Sequence, residues 1–134
     1  MRRSPSNILV VDADPDIREA LSDMLRHEGY RVKAVGNGAE ALQRVRREHY
    51  EVALLDIRLP DLDGLSILSA MKKLDPRLPI IVLTGYVTVE NTIETLVKGA
   101  FAYLIKPYNQ EEIKAILRQA VAVSRLIGKG EQVR

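Results

Sequence analysis

Short β-branched apolar runs alternate with helical periodicity five times along the chain. The runs are Ile8-Leu9-Val10-Val11, Val32 to Val35, Val52-Ala53-Leu54-Leu55, Ile80-Ile81-Val82-Leu83 and Phe101 to Ile105. The first, third and fourth are almost continuously apolar, as expected of central strands covered on both faces. The second alternates and includes Arg31 and Lys33, which suits an edge strand. Between the runs, apolar residues recur at helical spacing. Ile17, Ala20, Leu21, Met24 and Leu25 mark a first helix, and Ala41, Leu42 and Val45 a second. Leu65, Leu68 and Met71 mark a third, Val89, Ile93, Leu96 and Val97 a fourth, and Ile113, Ile116, Leu117, Ala120 and Val121 a fifth. The start and stop signals agree. Asp14-Pro15 places a capping carboxylate before a proline at the first helical position. Asn37 with Glu40, and Asn109 with Glu112, have capping-box spacing. Gly29 and Gly99 fall where helices should end.

Five β-α units predict an α/β fold with a parallel sheet, helices on both faces and right-handed crossovers. Such a sheet gathers its loops and its ligand site at the carboxyl ends of the strands, near the switch in strand order. There the first strand runs into Asp12-Ala13-Asp14 and the third into Asp56. The fourth ends at Thr84-Gly85, and Lys106-Pro107 follows the fifth. Acids, a hydroxyl and a lysine from distant parts of the chain therefore converge at one edge. A carboxylate there is suited to nucleophilic attack on phosphorus, giving an acyl phosphate. Repulsion from the phosphate oxygens calls for a divalent cation. Magnesium fits a few carboxylates and keeps waters and phosphate oxygens. A lysine and a hydroxyl would hold the remaining phosphoryl oxygens.

Composition narrows the alternatives. The 134 residues suit one domain, and 46 % apolar content is enough for a core. With no cysteine, a disulfide framework or thiolate metal site is excluded, and a reducing compartment is the natural home. The net charge is only +2, with bases and acids interleaved, which argues against direct nucleic-acid binding. No run is long and apolar enough for a membrane span, and the first seven residues do not form a signal peptide, so a cytoplasmic location is expected.

The chain resembles the receiver domain of bacterial two-component response regulators. Four segments carry the resemblance: Val10-Val11-Asp12, Leu54 to Gly64, Val82 to Tyr86, and Gly99 to Pro107. The resemblance implies a flavodoxin-like five-stranded parallel sheet in the order 2-1-3-4-5. It spans roughly residues 7–126, leaving 1–6 as a disordered N-terminus and 127–134 as a flexible C-terminal tail. It makes Asp56 the phosphate acceptor, with Mg2+ held by Asp12, Asp56 and the backbone carbonyl of Arg58. Thr84 and Tyr103 become a switch pair, and Lys106 the lysine that pairs with the phosphoryl group, its bond to Pro107 being cis. The implied donor is a phosphohistidine on a sensor histidine kinase. An output domain or partner protein would read the switch, and self-association would use the surface of the fourth helix, fifth strand and last helix. Such a domain catalyses only its own phosphorylation and dephosphorylation, and the side chains of Arg58 and Tyr86 flank the site where they would affect the lifetime of the phosphorylated form.

One departure from the family pattern matters. A second acid, which contacts the metal, usually follows the first, and here Ala13 stands in its place. Asp14 either caps the first helix or substitutes as a ligand. With one carboxylate fewer, the metal should bind more weakly. The alternative is a protein-binding module that has kept the fold and lost phosphotransfer. A haloacid-dehalogenase-type phosphatase is suggested by Asp12-Ala13-Asp14, but the late acidic pair it needs is represented only by Glu111 and Glu112 at a helix start. A flavin site is disfavoured by three aspartates within five residues. Asp61 and Asp63 read as turn and cap residues, and His27 and His49 as surface residues. The last helix keeps its register through Val121, Ser124 and Leu126. It leads toward an output segment or frays at its end.

Overall fold

The computed structural model describes residues 6–85, 89–107 and 109–132. Tyr86, residues 1–5 and residues 133–134, to which the sequence reading assigned roles, lie outside the described residues. The elements alternate as β1 (Asn7–Val11), α1 (Pro15–His27), β2 (Arg31–Val35), α2 (Gly38–Arg47) and β3 (Val52–Asp56), then α3 (Gly64–Leu74), β4 (Ile80–Thr84), α4 (Val89–Val97), β5 (Ala102–Ile105) and α5 (Gln110–Gln132). All strand pairings are parallel, and the order is β2-β1-β3-β4-β5.

The pleat of the strands separates two cores. Leu9, Val11, Ala53, Leu55, Ile80 and Val82 face Ala41 of α2 and Leu65, Leu68 and Met71 of α3. Ile8, Val10, Val52, Leu54, Ile81 and Leu83 face Leu21 and Leu25 of α1 and Ile113, Leu117 and Ala120 of α5. Central strands β3 and β4 are buried throughout, and β2 alternates with Arg31 and Lys33 exposed, so the edge reading holds. Strand order reverses between β1 and β3. The crevice above their carboxyl ends is where the sequence places its acids.

The caps form as the spacing predicts. Asp14 Oδ1 accepts from the amides of Asp16 and Ile17 at 2.9 and 3.4 Å. Asn37 accepts from Glu40 N, and Asn109 from Glu112 N, at 2.9 and 2.8 Å. Gly29 and Gly99 take φ of +94° and +101° just past α1 and α4, a region that side chains with a Cβ rarely adopt.

Three expectations are revised. Ser6, read as part of a disordered N-terminus, is buried, and its carbonyl accepts from Arg31 N at 2.9 Å. The apolar stripe of α4 does not face the core: Ile93, Leu96 and Val97 are 57, 51 and 79 % exposed, while Thr95 between them is fully buried. Helical spacing identified the helix but not which way it turns, because α4 packs by a polar position. The last helix continues through Gln132, so residues 127–132, read as tail, are helical. Arg125 fastens this helix below the sheet, its Nε donating to Glu51 Oε2 at 3.1 Å and its Nη2 to Ser6 Oγ at 2.7 Å. Among the described residues no helix is long and apolar enough to cross a membrane.

Leu117, fully buried between α5 and the sheet, should cost about 2–5 kcal/mol on truncation to alanine. Val97→Ser on the exposed face of α4 should stay within about 0.5 kcal/mol. Urea unfolding of the two variants checks both values.

Candidate functional site

Asp12, Asp56, Thr84 and Lys106 stand where strands run out of sheet. Asp12 follows the last residue of β1, and its amide still bonds to Val35 O at 3.1 Å. Asp56 is the last residue of β3 and Thr84 the last of β4. The first two are acids at 2 and 7 % exposure, so neither carboxylate is bathed in water. Lys106 follows β5, and its amide bonds to Thr84 O at 2.7 Å. That backbone bond keeps the lysine beside the end of β4 and aims it over β3. The Lys106–Pro107 bond is cis.

The ammonium group lies between the acids. Lys106 Nζ donates to Asp56 Oδ2 at 2.8 Å and stands 3.8 Å from Asp12 Oδ2. The other oxygen of Asp56 accepts from Arg58 N at 2.9 Å, and Asp12 Oδ1 accepts from Asp14 N at 2.9 Å. Asp12 Oδ2 is buried with no hydrogen-bond partner. Burial pushes the Asp12 carboxyl above its ordinary value, and the Asp56 charge adds to that. The Asp14 amide and the Lys106 charge pull it back down.

The remaining predicted residues fall at differing distances from this group. Thr84 is fully buried and shares a sheet face with Tyr103, whose strand position pairs with Val82. Tyr103 is half-buried against the core on the α3 side. Ala13 is exposed and lines an open cleft with Ile57, Arg58, Leu59, Pro60 and Asp61. Asp14 spends its carboxylate on capping α1. Asp63 starts α3, and its carboxylate accepts from the Ser66 hydroxyl at 3.2 Å. His27 and His49 are exposed. Among the described residues no group of three or more histidines or acids is placed to hold a metal ion by itself.

Two further side chains lie beside the site, Arg18, to which the sequence reading assigned no role, and Asp61. Arg18 Nη1 donates to the backbone carbonyl of Asp12 at 2.7 Å. Its position one turn into α1 was the available signal, since helical side chains lean toward the N-terminus. Gly36 leaves room for that guanidinium, because a Cβ there would lie 2.8 Å from Arg18 Nη1. Asp61, read as a turn and cap residue, caps a distant helix by reaching across to α2. Its two oxygens accept from Gly38 N and Ala39 N at 2.9 and 3.0 Å. No local sequence pattern reports a contact spanning 23 residues.

A doubly wound parallel sheet with two buried acids and a lysine above its switch point defines a site for chemistry at a carboxylate. Residues 8–118 match the family model described as the response regulator receiver domain, and the chain belongs to that family. It is 38 % identical over 120 residues to the transcriptional regulatory protein ZraR of Klebsiella oxytoca, covering 90 % of this chain and 27 % of that protein. The chain thus spans about a quarter of the length of that relative. Among solved structures it resembles a CheY-like response regulator receiver domain protein from Methanospirillum hungatei JF-1. The TM-score is 0.88 with 34 % identity, over 91 % of this chain and 98 % of that one. It also resembles the receiver domain of the sensor histidine kinase PA1611 from Pseudomonas aeruginosa PAO1, solved with magnesium coordinated in its active-site cleft. There the TM-score is 0.81 with 33 % identity, over 88 % and 98 % of the two chains.

Because the folded-state pKa of Asp12 is raised, the native protein holds its proton to higher pH than the unfolded chain does. This contribution to stability is present below the ordinary carboxylate value and is lost as pH rises through the folded-state value. Asp12→Asn removes that loss. Thermal unfolding should show the variant melting above the wild type at pH 7, with the difference shrinking as pH falls through the carboxylate range.

Proposed function

We propose that this receiver domain takes a phosphoryl group from a sensor histidine kinase onto Asp56. The observation that carries the reading is Lys106 Nζ at 2.8 Å from one oxygen of a buried Asp56, beside an Asp12 oxygen that has no hydrogen-bond partner. An unpartnered carboxylate oxygen in a buried pocket suits a cation, and an all-oxygen donor set suits Mg2+. Asp12, Asp56 and the Arg58 carbonyl would hold it, with water standing where Ala13 offers no carboxylate. When bound, the ion supplies the positive charge that a carboxylate and a phosphate need to approach each other.

The side chains of this chain do the rest. An Asp56 oxygen attacks phosphorus, a new P–O bond forms, and the P–N bond to the donor imidazole breaks. The electron pair of that bond leaves with the imidazole, which takes up a proton. Lys106, already hydrogen-bonded to Asp56, follows the charge onto a phosphoryl oxygen. Thr84 then turns its hydroxyl to another phosphoryl oxygen, and Tyr103 on the same sheet face moves further inward. The switch is a two-state equilibrium biased by one local charge. Attack by water on the same phosphorus returns the protein to its starting state, with Arg58 and Tyr86 affecting that rate. The domain catalyses these two reactions on itself and turns over no separate substrate.

An apolar groove between α1 and α5, lined by Ile17, Ala20, Met24, Pro107 and Ile113, opens beside Lys106 and suits the donor protein. Exposed Ile93, Leu96 and Val97 of α4, with Ile105 of β5, suit an output domain, a partner protein or a second copy. The greater length of the ZraR relative favours an output domain in the same polypeptide. We place the protein in the cytoplasm, where a sensor kinase would present its phosphohistidine.

Incubation with Mg2+ and a small acyl-phosphate donor should add the mass of one phosphoryl group. Intact-mass measurement should show the gain lost without Mg2+ and in Asp56→Asn. An unchanged mass in a folded wild-type protein would favour the binding module suggested by Ala13.

A further inference from the structure

The loop between β3 and α3, residues 57–63, carries the Arg58 amide and carbonyl and so frames Asp56. It is fastened at both of its ends. Arg58 N donates to Asp56 Oδ1 at 2.9 Å, and Arg58 forms an isolated antiparallel bridge with Asp63. Gly64 lies directly against the Ile57 backbone, where a Cβ would collide with the Ile57 carbonyl. Between these points the loop crosses open surface. There Asp61 makes a two-oxygen contact with the first two amides of α2, Gly38 N at 2.9 Å and Ala39 N at 3.0 Å. Helix α2 already has its own cap, since Asn37 accepts from Glu40 N at 2.9 Å. The Asp61 contact therefore does something a local cap does not: it joins the α2 unit at the sheet edge to the loop over β3. Close packing keeps the two within reach. A Cβ on Gly38 would lie 2.6 Å from Ile67 Cδ1 and 3.2 Å from Leu62 Cδ1. The helix amides hold the carboxyl below its usual range, as expected of an anion on two orphan N–H donors.

We infer that Asp61 is a positioning residue for the candidate site, holding the β3–α3 loop so that the Arg58 amide stays on Asp56 and the Arg58 carbonyl stays directed at the metal position. Its contribution to metal binding rests on the function proposed above, whereas its hold on the loop does not. Ala13 makes this support matter more. With one carboxylate missing, the backbone carbonyl is a larger share of the donor set, and its placement depends on a loop.

The test pairs Asp61→Ala with Asn37→Ala, which weakens the same helix end but leaves the tie to the loop in place. Asp61→Asn, which keeps one acceptor oxygen, should fall between wild type and Asp61→Ala. Circular dichroism checks that all three variants are folded. The first readout is hydrogen exchange of the Arg58 amide in metal-free protein, which should accelerate in Asp61→Ala and remain at the wild-type rate in Asn37→Ala. The second is Mg2+ affinity by calorimetry, which should drop about tenfold in Asp61→Ala alone, the size typical of outer partners of metal ligands. Unchanged Arg58 exchange in Asp61→Ala, or equal acceleration in both alanine variants, would overturn the inference. If wild-type protein binds no Mg2+, the metal reading fails, and the exchange result alone decides the role of Asp61.

Discussion

Two carboxylates that strand geometry forces out of water share one ammonium group. Asp12 and Asp56 sit at the ends of neighbouring strands, both largely buried, and their charges repel. Taking an ion pair out of water costs more than its attraction returns unless its other lone pairs are satisfied. Asp56 meets that condition, through Lys106 and the Arg58 amide. Asp12 meets it by half, since one oxygen has the Asp14 amide and the other has no hydrogen-bond partner. The site is therefore left with one carboxylate oxygen lacking a hydrogen-bond partner, which is the opening the proposed cation would fill.

The rest of the architecture serves that arrangement. The strand order brings β1 and β3 side by side, and the backbone bond from Lys106 to Thr84 swings the lysine back over them. Arg18 holds the Asp12 carbonyl from α1, and Asp61 ties the loop after β3 to the first amides of α2. Both are charged side chains spent on backbone groups, so they stiffen the crevice without occupying it. Below the sheet, Arg125 joins α5 to Glu51 and Ser6, giving the last helix a fixed departure from the domain. Above it, the exposed face of α4 provides apolar surface on the side where Thr84 and Tyr103 lie. A charge added at Asp56 thus has a short physical route to a surface another protein could read.

Much of this was legible in the sequence because it rests on local rules. The five strands follow from apolar runs, the α1, α2 and α5 starts from Asp14, Asn37 and Asn109, and the helix ends from Gly29 and Gly99. Asp12, Asp56 and Lys106 could be grouped because a doubly wound sheet leaves its strand ends at one edge. What depends on orientation was not legible. The spacing of Ile93, Leu96 and Val97 identifies a helix equally well whether that stripe faces inward or outward, and only packing against α3 and β5 turns Thr95 to the core. Asp61 read as a turn and cap residue, but the helix it caps was hidden because its partners lie 22 and 23 positions away. The helical run beyond Leu126 was hidden by Gly128 and Gly130, which lower helix propensity without ending the helix.

The central claim is that the buried acid pair is balanced by Lys106 and by a bound cation. Titration of the Asp12 side-chain carboxyl by carbon-detected NMR tests it most directly. The account predicts an elevated value in metal-free wild type, a further rise in Lys106→Met, and a fall when Mg2+ is added. An ordinary carboxylate titration that neither Lys106→Met nor Mg2+ moves would contradict it.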